Sequence, residues 1–167
     1  MPTHAPGSYQ ELDDAALLSG FESHSLNLET WVHRSHVRVA VLYLSRFGFD
    51  AALERMRERI QSFNRAKGIK DTKSSGYHET LTVAWLRVIA NALDVMARPP
   101  ANTLEFCRQN QHLLDKTFLR RHYSSDRMLT DEAKRQFVEP DLEPLPAVFR
   151  SGAGIPALKK PAEARSG

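Results

Sequence analysis

Three segments with apolar residues at intervals of three and four, each followed by a signal that ends a helix, constrain the fold of this chain most strongly. Such spacing places the apolar side chains on one face of an α-helix. Glycine is common just past a helix end, and the residue before a proline avoids the helical conformation. The predicted helices and their stop signals are 28–47 before Gly48, 51–67 before Gly68, and 78–97 before Pro99.

The rest of the chain adds shorter helical signals. Asn102 with Glu105 three residues later is typical of a helix start, which predicts a helix through Leu113. A further helical turn is predicted over 115–123 and a short helix over 131–137. No stretch alternates polar and apolar residues as a strand would. The sequence therefore predicts an all-α fold, a compact helical bundle of about four to six helices with disordered N- and C-terminal tails.

The domain organisation follows from composition along the chain. Residues 1–24 are predicted to form a mobile N-terminal arm, 25–149 a single helical domain, and 150–167 a disordered basic tail. Segments rich in proline and poor in apolar residues bury too little surface to offset the entropy lost on ordering. The proline-rich stretch 139–149 is predicted to be an extended strap that docks on the bundle through Leu142, Leu145 and Phe149.

The distribution of charge argues against nucleic acid as a partner. The chain carries a formal charge of +3. Residues 150–167 hold four basic residues and one acidic residue, which leaves 19 basic and 19 acidic residues in the rest. A body without excess positive charge is a poor binder of phosphate backbones. Nucleic acid is therefore an unlikely partner, and a small-molecule substrate is expected instead.

Cysteine content and hydropathy point to the cytoplasm. The single cysteine, Cys107, cannot form a disulfide within the chain, which fits a reducing compartment. The sequence shows neither a basic and apolar leader nor an apolar run of about 18 residues. We expect a cytoplasmic protein that does not span a membrane.

A carboxylate and two imidazoles fall on one face of the first predicted helix. At about 100° per residue, Glu29, His33 and His36 lie within an arc of roughly 60°. His78 begins another predicted helix and heads its apolar stripe. Buried imidazoles must be hydrogen-bonded or bound to a ligand. Nitrogen and oxygen ligands of this kind suit a divalent transition metal such as Fe, Mn, Zn, Cu or Ni, so the predicted metal ligands are His33, His36, His78 and Glu29.

The segment Tyr77-His78-Glu79 lies where a polar loop becomes a helix. Free N–H groups at a helix start favour an anionic ligand or a developing oxyanion. We therefore predict catalytic roles for Glu79, His78 and Tyr77, with Glu79 moving protons or accepting a hydrogen bond from an imidazole. Substrate contacts are predicted for three further residues: Thr82, Trp85 and Tyr123.

Three interpretations of the histidines stay open: a metal site, a metal-free acid–base site, and histidines that only support the fold. The position of Glu29 discriminates between them. If the first helix begins only after Thr30, the carboxylate leaves the histidine face, and the case for an enzyme weakens.

Four short sequence blocks also resemble those of a protein family. They are Trp31-x-His33-x-x-His36, Tyr77-His78-Glu79-Thr80-x-Thr82, His122-Tyr123-Ser124, and Val138-Glu-Pro-Asp141. Together they resemble a family of small bacterial helical proteins to which no reaction is assigned. The resemblance covers about residues 25 to 146 and implies a shared fold and polar site, but no activity. The third block in that family is associated with Tyr-Tyr-Ser, so the role of His122 is in doubt.

The sequence thus predicts a small-molecule enzyme with a cavity of histidine and glutamate side chains. The expected chemistry is metal-dependent hydrolysis, or oxidation or rearrangement. No phosphate-binding loop, dinucleotide fingerprint or serine-nucleophile motif is present. The alternative is a non-catalytic helical module that binds a protein partner or effector, in which the histidines form a buried hydrogen-bond network.

Overall fold

The computed structural model describes residues 11–148 and confirms the all-α class. Within this range the only β-type pairing is an isolated bridge between Thr72 and Ser75. The seven α-helices are α1 (Asp14–Glu22), α2 (His33–Phe47), α3 (Phe49–Ala66), α4 (Glu79–Asp94), α5 (Thr103–Gln109), α6 (Ser125–Met128) and α7 (Asp131–Arg135). Two 3₁₀ helices, Gln111–Leu114 and Phe118–Arg121, lie between α5 and α6.

Helix α2 forms the centre of the fold. It contacts α1, α3, α4 and α5, and most of its residues from Val37 to Leu44 are fully buried. Near its start, three rings pack together: Trp31 stacks on Phe21 with centroids 4.2 Å apart and lies 5.4 Å from Phe63. Buried aromatic pairs contribute roughly 0.5–1.5 kcal/mol beyond the burial of their area. This cluster fixes one end of α2 against α1 and α3.

A single glycine joins α2 to α3. Gly48 ends the first helix and begins the second, and its φ of +74° is a conformation that glycine adopts without strain. Its N–H donates to the Leu44 carbonyl, and its own carbonyl accepts from the Ala52 N–H. Helix α3 therefore begins at Phe49, two residues before the predicted start at 51.

The N-terminal segment is part of the folded body, and the prediction of a mobile arm over 1–24 is wrong for α1. Asp13 caps this helix by accepting from the Ala16 N–H at 2.7 Å, and its apolar face is buried in the core. Asp14 forms an ion pair with the buried Arg38 of α2 at 3.2 Å. Residues 1–10 lie outside the described range.

Helix α2 begins later than predicted. Asn27 accepts hydrogen bonds from the N–H of Thr30 at 3.0 Å and from its hydroxyl at 2.7 Å, which closes a turn before the helix. Side-chain bonds of this type compete with helix formation. The helix therefore starts at His33, and Glu29 lies exposed in the preceding turn.

The second half of the described chain contains shorter helices than expected. Asn102 caps α5 by accepting from the Glu105 N–H at 2.9 Å, as its spacing predicts, but the α-helix ends at Gln109. The predicted helix 78–97 ends at Asp94, before the prolines. Thr130 caps α7, which ends at Arg135.

The strap lies along α4 and the segment around His122. The Arg87 guanidinium donates to the Pro146 carbonyl at 3.0 Å, and His122 Nδ1 donates to the Glu143 carbonyl at 3.0 Å. Leu145 is buried as predicted, whereas Leu142 is 55% exposed. Phe149 and the basic tail lie outside the described residues. No helix within 11–148 is long and apolar enough to cross a membrane.

Candidate ligand cavity

Helices α2, α3 and α4 enclose a cavity of about 460 Å³, which we call the imidazole cavity. Cavities of this volume typically hold small organic ligands. Its polar and aromatic lining consists of His33, His36, His78, Tyr77, Thr82, Trp31, Trp85 and Lys116. Helix α3 contributes Met56 and Ile60 to the apolar part. The three histidines that helical periodicity singled out thus line one space, although His78 lies on a different element from the other two.

His33 lies in the first turn of α2 and is tied to the opposite side of the fold. Its Nε2 donates to the Leu113 carbonyl at 2.9 Å, and its ring packs on Trp85 with centroids 4.4 Å apart. Burial lowers the pKa of His33, an effect that the hydrogen bond to Leu113 partly offsets. The bond at Nε2 leaves Nδ1 as the unprotonated nitrogen.

His36 lies one turn further along the same helix. Its Nδ1 donates to the Val32 carbonyl at 2.9 Å, and its ring packs on Trp31 at 3.8 Å. The ring is half-buried against the cavity, and desolvation lowers the pKa of His36 to about 4. Nε2 makes no hydrogen bond with any residue in 11–148. His36 is therefore a neutral imidazole with a free lone pair at neutral pH.

His78 differs from the other two because both of its nitrogens are engaged. It caps α4, where Nδ1 accepts from the Leu81 N–H at 3.2 Å, and Nε2 donates to the Met128 carbonyl at 3.2 Å. Burial lowers its pKa and keeps it neutral. An N-cap role explains why a histidine stands at this helix start. His78 has no lone pair to offer a metal without losing the cap.

The predicted metal ligand set is not assembled in the described part of the chain. No group of three or more His, Cys, Asp or Glu side chains within 11–148 is placed to hold a metal ion. Glu29 is absent from the cavity because α2 begins after Thr30, which is the outcome that weakens the case for an enzyme with this ligand set. The two imidazole nitrogens without hydrogen bonds there are His33 Nδ1 and His36 Nε2.

Glu79 faces away from the imidazoles, which corrects the prediction that it works in the same cavity. It accepts from the Tyr77 hydroxyl at 2.5 Å and from Arg57 Nε at 2.7 Å. A second cavity of about 480 Å³ lies on this side, and we call it the charged cavity. Its ionisable lining, apart from Tyr77, is Glu79, Asp71, Asp131, Lys73, Lys134 and Arg135. Burial raises the pKa of Tyr77, and the bond to Glu79 reinforces this shift.

A tight turn delivers Tyr77 to the wall between the two cavities. Gly76 has a φ of +93°, and a Cβ there would lie 2.8 Å from the Asp71 Cα. Only glycine fits such a backbone without displacement. Lys134 holds the same turn through Asp71 at 2.7 Å and through the carbonyls of Ser75 and Tyr77.

The remaining predicted substrate residues divide between the cavity and the core. Trp85 and Thr82 line the cavity, and the Thr82 hydroxyl donates to the His78 carbonyl at 2.9 Å. Tyr123 does not reach it, because its hydroxyl donates to the Val138 carbonyl at 2.8 Å in the core. Burial raises the pKa of Tyr123 to about 12. Tyr123 and His122 therefore hold the strap.

Sequence reasoning missed two contributors to the site. Lys116 lies in the turn between the 3₁₀ helices and lines the cavity, but nothing in its neighbourhood in the sequence connects it to α2. The sequence around Arg57 does not predict its contact with Glu79 either. Met56 and Ile60 were foreseeable from their i, i+4 spacing on α3.

Comparison with known proteins finds no match: no protein family, no curated protein and no solved structure is significantly similar to this chain. The resemblance carried by the histidine blocks thus stays a prediction from sequence. The cavity itself is the basis for any functional conclusion.

Proposed function

We propose that this protein is an enzyme that acts on a small organic molecule held in the imidazole cavity, with His36 accepting a proton from it. One observation carries the proposal. His36 is a neutral imidazole in a cavity of ligand size, with one nitrogen bonded to its own helix and the other without a partner in the described residues. A general base needs this combination of a free lone pair and a fixed orientation.

The surroundings of His36 fix its protonation state and its tautomer. Its low pKa keeps the ring unprotonated at neutral pH, and the Val32 carbonyl fixes which nitrogen carries the proton. Indole rings pack against both His36 and His33, so a planar substrate would meet aromatic walls. The single, buried Cys107 fits action in the cytoplasm.

In one version of this proposal, the reaction depends on a bound metal ion. A divalent transition metal would use His33 Nδ1 and His36 Nε2, the two nitrogens without hydrogen bonds in the described residues. When bound, it would supply Lewis acidity for hydrolysis, oxidation or rearrangement. Metal analysis of protein purified without an affinity tag separates the two versions: a stoichiometric metal that His36→Gln removes favours the metal-dependent one.

Ring opening of nitrobenzisoxazole tests the proposed base directly, because this neutral, planar compound opens when a base removes its ring proton. The released phenolate absorbs visible light. We expect His36→Gln to lower the rate at least about tenfold, since a positioned base contributes at least about a hundredfold. Glutamine keeps an N–H donor for the Val32 carbonyl. Replacement of the exposed His112, which lies outside the cavity lining, by glutamine is the matched control.

A non-catalytic effector-binding module is the second candidate, because each of the three imidazoles donates to a backbone carbonyl. In that case the histidines only support the fold. The His36→Gln variant would then change the thermal midpoint but leave the ring-opening rate equal to that of the control. A wild-type rate no greater than that of free imidazole would also contradict the enzyme proposal.

A further inference from the structure

The charges around the imidazole cavity are unbalanced. Lys116 is the one ammonium among the lining residues, and none of them is a carboxylate. Within 11–148, Lys116 forms no ion pair. The neighbouring Asp115 is engaged by the Thr117 N–H and hydroxyl, both at 2.8 Å. Lys116 is exposed, so the wall carries a solvent-accessible positive charge without an ion-pair partner in the described chain.

The electrostatic effect of Lys116 reaches both free imidazoles. Its positive charge lowers the pKa of His33 and of His36. Asp115 raises only the pKa of His33, and by less than Lys116 lowers it. The potential near the free nitrogens is therefore positive, which disfavours a cationic ligand and favours an anionic one.

We propose that the ligand of this cavity is an amphipathic organic monoanion, an aromatic or aliphatic carboxylate. Its apolar body would lie against Trp31 and Trp85, and its carboxylate would pair with Lys116. One cation matches one negative charge, so polyphosphates are disfavoured. The inference rests on the proposed function in taking the imidazole cavity as the substrate site.

Three probes of one shape and different charge test the ligand class: phenylbutyrate, phenylbutyramide and phenylbutylammonium. Both tryptophans of the chain, Trp31 and Trp85, line the cavity, so tryptophan fluorescence reports its occupancy. Excitation at the red edge of indole absorption avoids the phenyl ring. We expect the carboxylate to bind about fivefold more tightly than the amide at low salt, as for one partly exposed ion pair. The ammonium should bind most weakly.

Charge variants identify the recognising group. Lys116→Gln should abolish the preference for carboxylate over amide, and Lys116→Arg should keep it. Lys70→Gln is the matched control, because Lys70 is exposed and lies outside the lining of both cavities. Binding of the amide or the ammonium as tightly as the carboxylate would overturn the inference. So would an unchanged preference in Lys116→Gln, or no binding of any probe.

The two proposals fail in different ways. Preferential binding of phenylbutyrate without ring opening of nitrobenzisoxazole leaves the ligand class standing and contradicts the enzyme. Ring opening that depends on His36, without a preference for the carboxylate, contradicts the ligand class alone.

Discussion

The two cavities that meet at Tyr77 have nearly equal volumes, about 480 and 460 Å³, but opposite chemistry. Two ion pairs form at the charged cavity, while Lys73, Asp131 and Arg135 of its lining form none within 11–148. Glu79 pairs with Arg57, and Lys134 pairs with Asp71. In the imidazole cavity, His36 Nε2 and the Lys116 ammonium have no partner in 11–148.

This difference separates support of the fold from binding of a ligand. Polar groups in protein interiors are almost always hydrogen-bonded, so a set of mutually satisfied groups needs no ligand to explain it. An accessible imidazole nitrogen and an exposed ammonium that line a cavity of ligand size are, by contrast, available to bind a ligand. Substitutions on the charged side should therefore change stability, whereas those on the imidazole side should change chemistry and pH response.

Acidification should have the largest effect on the stability of the fold. The pKa of His36 is about 4 in the folded protein and near 6.5 when unfolded, so the unfolded chain binds more protons between these values. Stability contributed by neutral His36 is complete above about pH 6.5 and is lost as the pH falls toward 4. We expect a loss of roughly 2–3 kcal/mol across this window, allowing for water in the cavity.

Urea denaturation of wild type and His36→Leu over this pH range measures the effect. The variant should lose less stability on acidification, while His112→Gln should follow the wild type. The pKa values of His33 and His78 are lowered in the same direction, so part of the acid sensitivity should remain. Parallel curves for wild type and His36→Leu would refute the assignment.

A smaller effect is expected on the charged side. Glu79→Gln removes the anionic acceptor of Arg57 and Tyr77, and should lower the free energy of unfolding by about 1–2 kcal/mol. Its rate with nitrobenzisoxazole should stay within about twofold of the wild type at temperatures where both are folded. Glu58→Gln, at an exposed position of α3, is the control for loss of charge. A large fall in rate would place Glu79 among the groups that take part in the chemistry.

His78 should have a smaller effect still. His78→Ala removes the cap of α4 and should cost about 1 kcal/mol. His78→Asn, which restores a capping oxygen, should recover most of that loss in thermal denaturation. If asparagine restored stability but not ring opening, His78 would act on the substrate in addition to capping the helix.

Glu29→Gln should have the smallest effect. Its carboxylate is exposed in the turn before α2, and exposed substitutions change stability by less than about 0.5 kcal/mol. Metal content, thermal midpoint and ring-opening rate should all match the wild type. A loss of bound metal in this variant would instead support the sequence prediction that Glu29 binds a metal together with the histidines.

The helices and the shared histidine cavity were predictable because helical periodicity determines which side chains face the core. His33 and His36 lie one turn apart, and His78 heads the apolar stripe of α4, so all three had to point inward. The prediction that Glu29 lies on the histidine face was wrong, because a local turn closed by Asn27 and Thr30 displaces the helix start. Helical periodicity alone does not predict such a turn.

Partners that are distant in sequence account for the other differences. The direction of Glu79 depends on Arg57, which lies 22 positions earlier, and Lys116 reaches the cavity through a turn without a regular pattern. The burial of α1 depends on packing against α2 and α3, which a short segment does not reveal by itself.

The one-residue corner at Gly48 has a consequence for how a ligand reaches the cavity. With its N–H and carbonyl both bonded to the adjoining helices, this corner leaves no linker about which α2 and α3 could swing apart. The angle between two walls of the cavity is therefore set by a single residue. Val32 and Lys116 are the exposed residues of the lining, so a ligand can reach the cavity from their side without a movement of α2 against α3.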